Sequence, residues 1–209
     1  MLTGHLVHLR PVEPEDLDHF MQWVNDPEVT QYLASFSWPL SRMAEREWVE
    51  NAAKGGHSDE RNLVIETLDG KYLGVIGLRH IDWRNRHAEV GIVIGNKGYW
   101  GKGYGTDALR VLARFAFDQL NLHTLTLALF ADNLRARRSY EKVGFKPVGT
   151  FRQYRYLNGA YHDELFMQLL PEDLKENRTT APAGTSSGSG SATSTSTSTA
   201  GAAECCPGG

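Results

Sequence analysis

A glycine-rich stretch in the middle of the chain reads Gly98-Tyr99-Trp100-Gly101-Lys102-Gly103-Tyr104-Gly105. It stands between an apolar predicted strand, residues 87–94, and the clearest predicted helix, residues 106–120. Glycines let the backbone N–H groups of a turn point in one direction, and a helix N-terminus adds unpaired donors and the positive end of a dipole. The stretch therefore predicts an anion-binding turn that suits a pyrophosphate.

The glycine-rich turn, taken alone, leaves other interpretations open. A strand-to-helix loop can carry the same glycines only because its backbone packs tightly. A dinucleotide-binding fold needs parallel βαβ units from the start, and the hairpin signal at Asp69-Gly70 argues against it. The turn also lacks the Gly-Lys-Ser/Thr ending of a Walker motif.

The hydrophobic pattern around the turn predicts a mixed fold. Alternating apolar residues predict strands, and apolar residues at helical spacing predict helices. The predicted strands span residues 6–10, 63–67, 72–80, 87–94, 125–129, 148–156 and 160–169. The predicted helices follow Pro14 as far as Val24 and span residues 41–53, 106–120 and 133–143. This order predicts the α/β (α+β) class, with a central, mostly antiparallel sheet flanked by helices.

The composition predicts one folded domain, residues 1–174, followed by a disordered tail, residues 175–209. All five Trp lie in the first part, whereas Ser, Thr, Gly and Ala dominate the second. Both cysteines, Cys205 and Cys206, lie in the tail, so the domain has no thiolate metal site and no catalytic cysteine.

Charge and hydropathy argue against several partners. The 22 Lys and Arg against 25 Asp and Glu give a formal net charge of −3, without the basic stripe typical of nucleic-acid binding. No apolar run reaches the ~18 residues that span a membrane, and the N-terminus lacks the pattern of a signal peptide. The histidines show no spacing typical of metal ligands. We therefore expect a cytoplasmic protein with no nucleic-acid partner, no membrane partner and no metal.

A second segment follows the predicted strand 125–129 and reads Asn133-Leu134-Arg135-Ala136-Arg137-Arg138-Ser139-Tyr140-Glu141-Lys142-Val143-Gly144-Phe145. With the Gly103-x-Gly105 turn before it, this segment resembles the GNAT superfamily of acetyltransferases. The opening Leu9-Arg10-Pro11, with Trp23 and Asn25-Asp26-Pro27, is similar to the branch that contains ribosomal-protein N-terminal acetyltransferases and relatives acting on polyamines and other small amines. The resemblance covers residues 6–170.

The resemblance implies a splayed sheet and acetyl-CoA as co-substrate. It assigns the cofactor contacts to the strand before the turn and to the turn itself: Ile92, Val93, Ile94, Gly101, Lys102, Gly103, Tyr104, Gly105 and Thr106. Asn133 would hydrogen-bond the pantetheine arm, and its place at a helix start equally suits an N-cap. Trp100 departs from the family, which usually carries Gln or Arg there, so we expect one side-chain contact to phosphate to be missing.

Two residues are the expected catalytic groups. The resemblance places Tyr140 near the thioester sulfur, where its phenol can protonate the leaving thiolate; the alternative is a core tyrosine on an amphipathic helix. Glu89, two residues before the segment that pairs with pantetheine, is the candidate base for the acceptor amine. The alternative for Glu89 is a strand glutamate that contacts solvent or an Arg.

The resulting functional hypothesis is N-acetyl transfer from acetyl-CoA to a primary amine by direct attack in a ternary complex. The acceptor could be a protein N-terminus, a polyamine or another small amine. A CoA-binding sensor without turnover is the alternative of a different class. An exposed edge strand in such a fold also leaves a homodimer open.

Overall fold

A single mixed sheet organises the computed structural model, which describes residues 1–33 and 38–176. Within these residues eight strands lie in the order β1-β2-β3-β4-β5-β6-β8-β7. They are β1 (Leu2–Thr3), β2 (Val7–Pro11), β3 (Arg61–Thr67), β4 (Tyr72–Asp82), β5 (His87–Ile94), β6 (Thr124–Phe130), β7 (Lys146–Leu157) and β8 (Ala160–Leu169). Of the seven strand pairings, only that of β5 with β6 is parallel. The predicted fold class is confirmed.

Five α-helices in the described residues flank this sheet. They are α1 (Leu17–Met21), α2 (Pro27–Thr30), α3 (Arg42–Ala53), α4 (Tyr104–Asp118) and α5 (Leu134–Val143). The predicted first helix is shorter than expected, because a 3₁₀ turn at Pro14–Asp16 precedes it and it ends at Met21. Asp26 and Pro27, expected only to stop that helix, also start α2: Asp26 accepts a hydrogen bond from the Glu28 N–H, and Pro27 occupies the first helical position.

Two hydrophobic cores lie on the two faces of the sheet. Neighbouring residues of a strand point to opposite faces, so buried Val64 belongs to the core under α1 and α3, whereas buried Ile65 belongs to the core under α4 and α5. The predicted inner stripe of α4, which includes Leu109 and Leu112, is buried in the second core. None of the described helices is long and apolar enough to cross a membrane.

The sheet splays between β5 and β6. Their parallel pairing covers only three residue pairs and ends at Glu89 and Thr126. Beyond that point β5 continues to Ile94 along β4, and β6 continues to Phe130 along β8. The splay implied by the family resemblance is thus present, and it leaves one edge of the β5 backbone unpaired.

A buried carboxylate fixes the start of α4 against the N-terminal strands. Asp107 Oδ2 accepts hydrogen bonds from the backbone N–H groups of Leu6, at 2.7 Å, and Val7, at 3.3 Å. A Cβ atom on Gly4 would lie 2.3 Å from the same oxygen, so this close approach requires glycine. The contact holds the first turn of α4 at the splay.

The C-terminal end of the described chain packs along α4 and α5. Lys175 donates its backbone N–H to the Val143 carbonyl at 2.8 Å, and Arg114 pairs with Glu176 at 2.6 Å. The rest of the predicted tail, residues 177–209, lies outside the described residues.

Candidate active site

A cleft of about 1080 Å³ opens where β5 and β6 separate. Residues of β4, β5 and β6 and of α3, α4 and α5 form much of its lining. Ten residues selected from the sequence line it: Glu89, Ile92, Val93, Ile94, Gly101, Gly103, Gly105, Thr106, Asn133 and Tyr140. The fold therefore brings most of the candidate residues together around one opening.

The glycine-rich turn forms the entrance to α4. Gly103 is the N-cap of this helix, with a φ of 93° that favours glycine, and it supplies no capping side chain. The first N–H groups of a helix have no intrahelical partner. Because Gly103, Gly105 and Thr106 line the cleft, these donors are suitably placed for an anion. A Cβ on Gly101 would meet nothing within 4 Å, so the turn is open there.

Lys102 and Tyr104, two further residues of the turn, are not among the residues that line the cleft. The Tyr104 ring packs edge-on against the ring of Tyr99, with 5.1 Å between the centroids. The Lys102 Nζ atom lies 5.8 Å from the centroid of the same Tyr99 ring. For these two predicted residues we therefore expect cofactor contacts through the backbone.

Trp100 and Arg135 stand together beside the turn. The Trp100 Nε1–H donates to the Ile94 carbonyl at 2.7 Å, which ties the turn to the end of β5. Arg135 lies over the Trp100 ring at 3.9 Å from the centroid, a cation–π contact. Both residues line the cleft. The Arg135 guanidinium of α5 therefore lies beside Trp100, the position of the turn at which the family usually carries Gln or Arg.

The start of α5 combines a cap and a row of cations. Asn133 Oδ1 accepts a hydrogen bond from the Ala136 N–H at 3.1 Å, so the N-cap interpretation of this residue is correct. Its Nδ2 group donates to nothing within the described residues and can serve a ligand. Arg135, Arg138 and Lys142 follow at helical spacing and all line the cleft. This positive face of α5 suits a phosphate-rich ligand.

Tyr140 carries a phenol that remains protonated at neutral pH. Its side chain is half-buried, packs edge-on against Phe145 at 5.9 Å between centroids, and lines the cleft. Burial raises the pKa of Tyr140 to about 12, and the positive charge of Arg79 opposes this shift. The hydroxyl makes no hydrogen bond within the described residues. It is therefore a neutral donor, free to act on a ligand.

Glu89 is engaged by two neighbours. Arg79 Nη2 donates to Glu89 Oε1 at 2.6 Å, and His80 Nδ1 lies 3.3 Å from Glu89 Oε2. The arginine contact is the alternative that the sequence left open for this glutamate. The two interpretations are compatible, because a carboxylate has about four acceptor positions and the arginine contact uses one of them.

The other side of the cleft is both acidic and aromatic. Gly77 and Gly91 are direct partners on β4 and β5, and both line the cleft. Glu45 of α3 also lines it; this residue is 5% exposed, and its carboxylate has no hydrogen-bond or ion-pair partner among the described residues. Burial raises its pKa. Trp23 and Trp48 line the same cleft, so this region suits a cationic ligand.

Sequence reasoning did not single out several of the lining residues, among them Glu45, Arg79 and Arg135. Arg135 could have been identified, since it lies within the second motif and is two residues from Asn133. Arg79 had a weaker signal, as the predicted antiparallel pairing of its strand places it opposite Glu89. Glu45 had no sequence signal, because helical periodicity does not distinguish a carboxylate that faces a cleft from one that faces solvent. No cluster of three or more metal-ligating side chains occurs among residues 1–33 and 38–176.

Comparison with known proteins identifies the family. The model of the Acetyltransferase (GNAT) domain matches residues 7–146. Spermidine N(1)-acetyltransferase of Escherichia coli (strain K12) is 32% identical over 180 residues, covering 86% of this chain and 94% of the relative. YdaF of Bacillus subtilis (strain 168), provisionally named a ribosomal N-acetyltransferase, is 29% identical over 170 residues, covering 80% of this chain and 92% of the relative.

A solved structure gives the same result. Spermidine N-acetyltransferase from Vibrio cholerae, crystallised in complex with CoA and spermine, superposes with a TM-score of 0.73 at 26% identity. The match covers 80% of this chain and 96% of that chain. The chain belongs to the GNAT acetyltransferase family, and the prediction of an N-acetyltransferase is confirmed.

Proposed function

We propose that this enzyme transfers the acetyl group of acetyl-CoA to a primary amine of a small polycation of the polyamine class, by direct attack in a ternary complex. Two relatives support this choice by their names, which specify spermidine as acceptor. The structure of the Vibrio relative contains CoA and spermine, which supports acetyl-CoA as the co-substrate here.

The observation that carries the choice of acceptor is the Glu45 carboxylate. It is buried, it has no partner among the described residues, and it faces the cleft beside Trp48. A buried carboxylate without a partner is costly, and an ammonium group offsets that cost by pairing with it. Aromatic faces add a further attraction for a cation.

The residues of the cleft divide the chemistry among them. Bound acetyl-CoA supplies the activated acyl group. The α4 N-terminus at Gly103 and the cations of α5 hold its phosphates, and the free edge of β5 from Ile92 to Ile94 pairs with the pantetheine arm. Tyr140 donates a proton to the departing sulfur. Deprotonation of the amine is assigned to the Glu89 carboxylate, directly or through a group in contact with it.

The test is a turnover assay with the full chain, in which released CoA thiol is measured. Spermidine should give a kcat/KM about 10-fold or more above that of a peptide with a free N-terminus, or above that of a monoamine with no second charged group. Equal rates with all three acceptors would contradict the polyamine assignment. Acetyl-CoA binding without turnover on any amine would instead favour the sensor alternative.

The homodimer left open by the sequence stays a prediction. β7 lies at the edge of the described sheet, and Phe151, Tyr154 and Tyr156 on it are exposed. An edge strand offers unpaired N–H and C=O groups to a second copy. Sedimentation equilibrium should give a dimer for the wild type and a monomer for Tyr156→Lys. A monomeric wild type would exclude the homodimer.

A further inference from the structure

Three charged or titratable side chains in the cleft form one chain of contacts: Arg79, Glu89 and His80. Arg79 holds one oxygen of the Glu89 carboxylate at 2.6 Å, and the His80 Nδ1 atom lies 3.3 Å from the other. Each oxygen of the carboxylate is thus already in contact with a neighbouring side chain. The His80 Nε2 atom, in contrast, makes no hydrogen bond within the described residues, and His80 lines the cleft.

The position of His80 results from a break in β4. Arg79 and Glu89 are direct cross-strand partners and share a face of the sheet. In a regular strand the next residue would point to the opposite face. The pairing shifts between Arg79 and Asp82, and His80 adopts a φ of 50°, in the left-handed region. This bulge turns the imidazole back to Glu89.

Such a backbone is informative because a positive φ is uncommon outside glycine. Non-glycine residues with positive φ cost free energy and concentrate at functional sites. Bulges also recur beside active sites, where they redirect a side chain. At His80 both features serve one contact, the approach of the ring to Glu89.

We propose that His80 takes the proton from the acceptor ammonium, while Glu89 orients its ring and Arg79 holds Glu89; this assignment rests on the proposed function. A hydrogen bond from Nδ1–H to Glu89 leaves Nε2 as the proton acceptor. An imidazole nitrogen with a free lone pair can take up a proton and release it again, as turnover requires. The His80 side chain is 74% exposed, so it passes the proton on to water.

The proton balance of the reaction is then complete. One ammonium proton moves to His80 Nε2 and on to water, and the freed amine forms a bond to the thioester carbonyl carbon. The C–S bond breaks, and its electron pair leaves with sulfur, which takes a proton from the Tyr140 phenol. The second proton leaves nitrogen as the amide forms, which compensates the proton supplied by Tyr140. The products are the acetylated amine, the CoA thiol and one proton.

The kinetic test uses His80→Asn, since asparagine tolerates the left-handed backbone better than most residues. Turnover should fall by about 10²–10⁴-fold with an unchanged KM for acetyl-CoA. His87→Asn is the matched control, because His87 is an exposed histidine on the neighbouring strand that does not line the cleft; its turnover should match the wild type. His80→Gly should regain turnover with added imidazole. Wild-type turnover in His80→Asn would overturn the proposal.

Nitrogen NMR of the His80 imidazole ring tests this proposal independently of the choice of acceptor, because the measurement is made without an acceptor amine. In the wild-type enzyme the His80 ring should carry its proton on Nδ1, and Glu89→Gln should disturb that tautomer. A proton resident on Nε2 would refute the assignment even in an enzyme that acetylates spermidine. The expected tautomer in an enzyme inactive on polyamines would refute only the choice of acceptor.

Discussion

The guanidinium of Arg135 lies over the indole of Trp100, with its central carbon 3.9 Å from the ring centroid. Trp100 belongs to the glycine-rich turn and Arg135 to α5, so the contact joins the two motifs that identify the family. It also places a positive charge beside the turn at the point where Trp100 replaces the family's usual Gln or Arg. We propose that this arginine supplies a side-chain partner for phosphate in place of the usual residue of the turn.

Arg135→Ala should weaken acetyl-CoA binding, because it removes the cation that lies beside the turn and leaves only Arg138 and Lys142 on the cleft-lining side of α5. A charge-assisted hydrogen bond contributes about 1.5–3 kcal/mol, so we expect Kd to rise by about 10-fold or more in titration calorimetry. Arg137→Ala is the control, since Arg137 pairs with Glu141 at 2.8 Å on the same helix and does not line the cleft. Equal affinity in the two variants would remove Arg135 from the cofactor site.

Much of the fold could be predicted from the sequence, because the buried apolar residues of each helix or strand recur at the period of that element. Residues 87–94 and 160–169 were predicted with the bounds that the structure gives to β5 and β8. α2 was not predicted, since its four residues have no period to detect. The orientation of the His80 ring could not be predicted either, because it depends on a bulge in the pairing of two strands. Contacts between elements, such as Arg135 on Trp100, arise only from tertiary packing.

Tyr140→Phe should lower kcat by about 10²–10⁴-fold and leave acetyl-CoA affinity intact, because it removes only the proton donor for the leaving sulfur. The raised pKa of Tyr140, about 12, adds a pH prediction. The phenol stays protonated until the pH approaches this value, so it should cause no loss of wild-type activity between pH 7 and pH 10, as rate profiles can check. A fall in that range that disappears in Tyr140→Phe would contradict the assignment.

Gly103→Ala should abolish acetyl-CoA binding, because Gly103 is the N-cap of α4 and its left-handed backbone sets the direction of the first N–H groups of the helix. Its φ of 93° also makes the alanine variant less stable, by about 1–2 kcal/mol. Gly70→Ala is the matched control: Gly70 has a φ of 79° in the β3–β4 turn and does not line the cleft. Both variants should melt at a lower temperature, and only Gly70→Ala should still be stabilised by acetyl-CoA. Stabilisation of both would contradict the placement of pyrophosphate.

Glu45 should oppose folding and support acceptor binding at the same time. Burial raises its pKa above the ordinary value of 4.5, so the folded protein holds this proton to a higher pH than the unfolded chain does. Ionisation of Glu45 therefore lowers the free energy of unfolding. This penalty is absent below pH 4.5 and grows as the pH rises above that value. A bound ammonium offsets it.

Glu45→Gln should consequently raise the melting temperature at pH 7, by about 2–4 °C for each kcal/mol of penalty removed. The gain should vanish as the pH falls toward 4. The same variant should raise the KM for spermidine by about 10-fold, because the amide cannot pair with an ammonium. Glu47→Gln, on the exposed side of α3, should change neither quantity. A Glu45→Gln enzyme that is more stable but keeps its KM would show a carboxylate that is merely buried, since only a contact with the acceptor links the two effects.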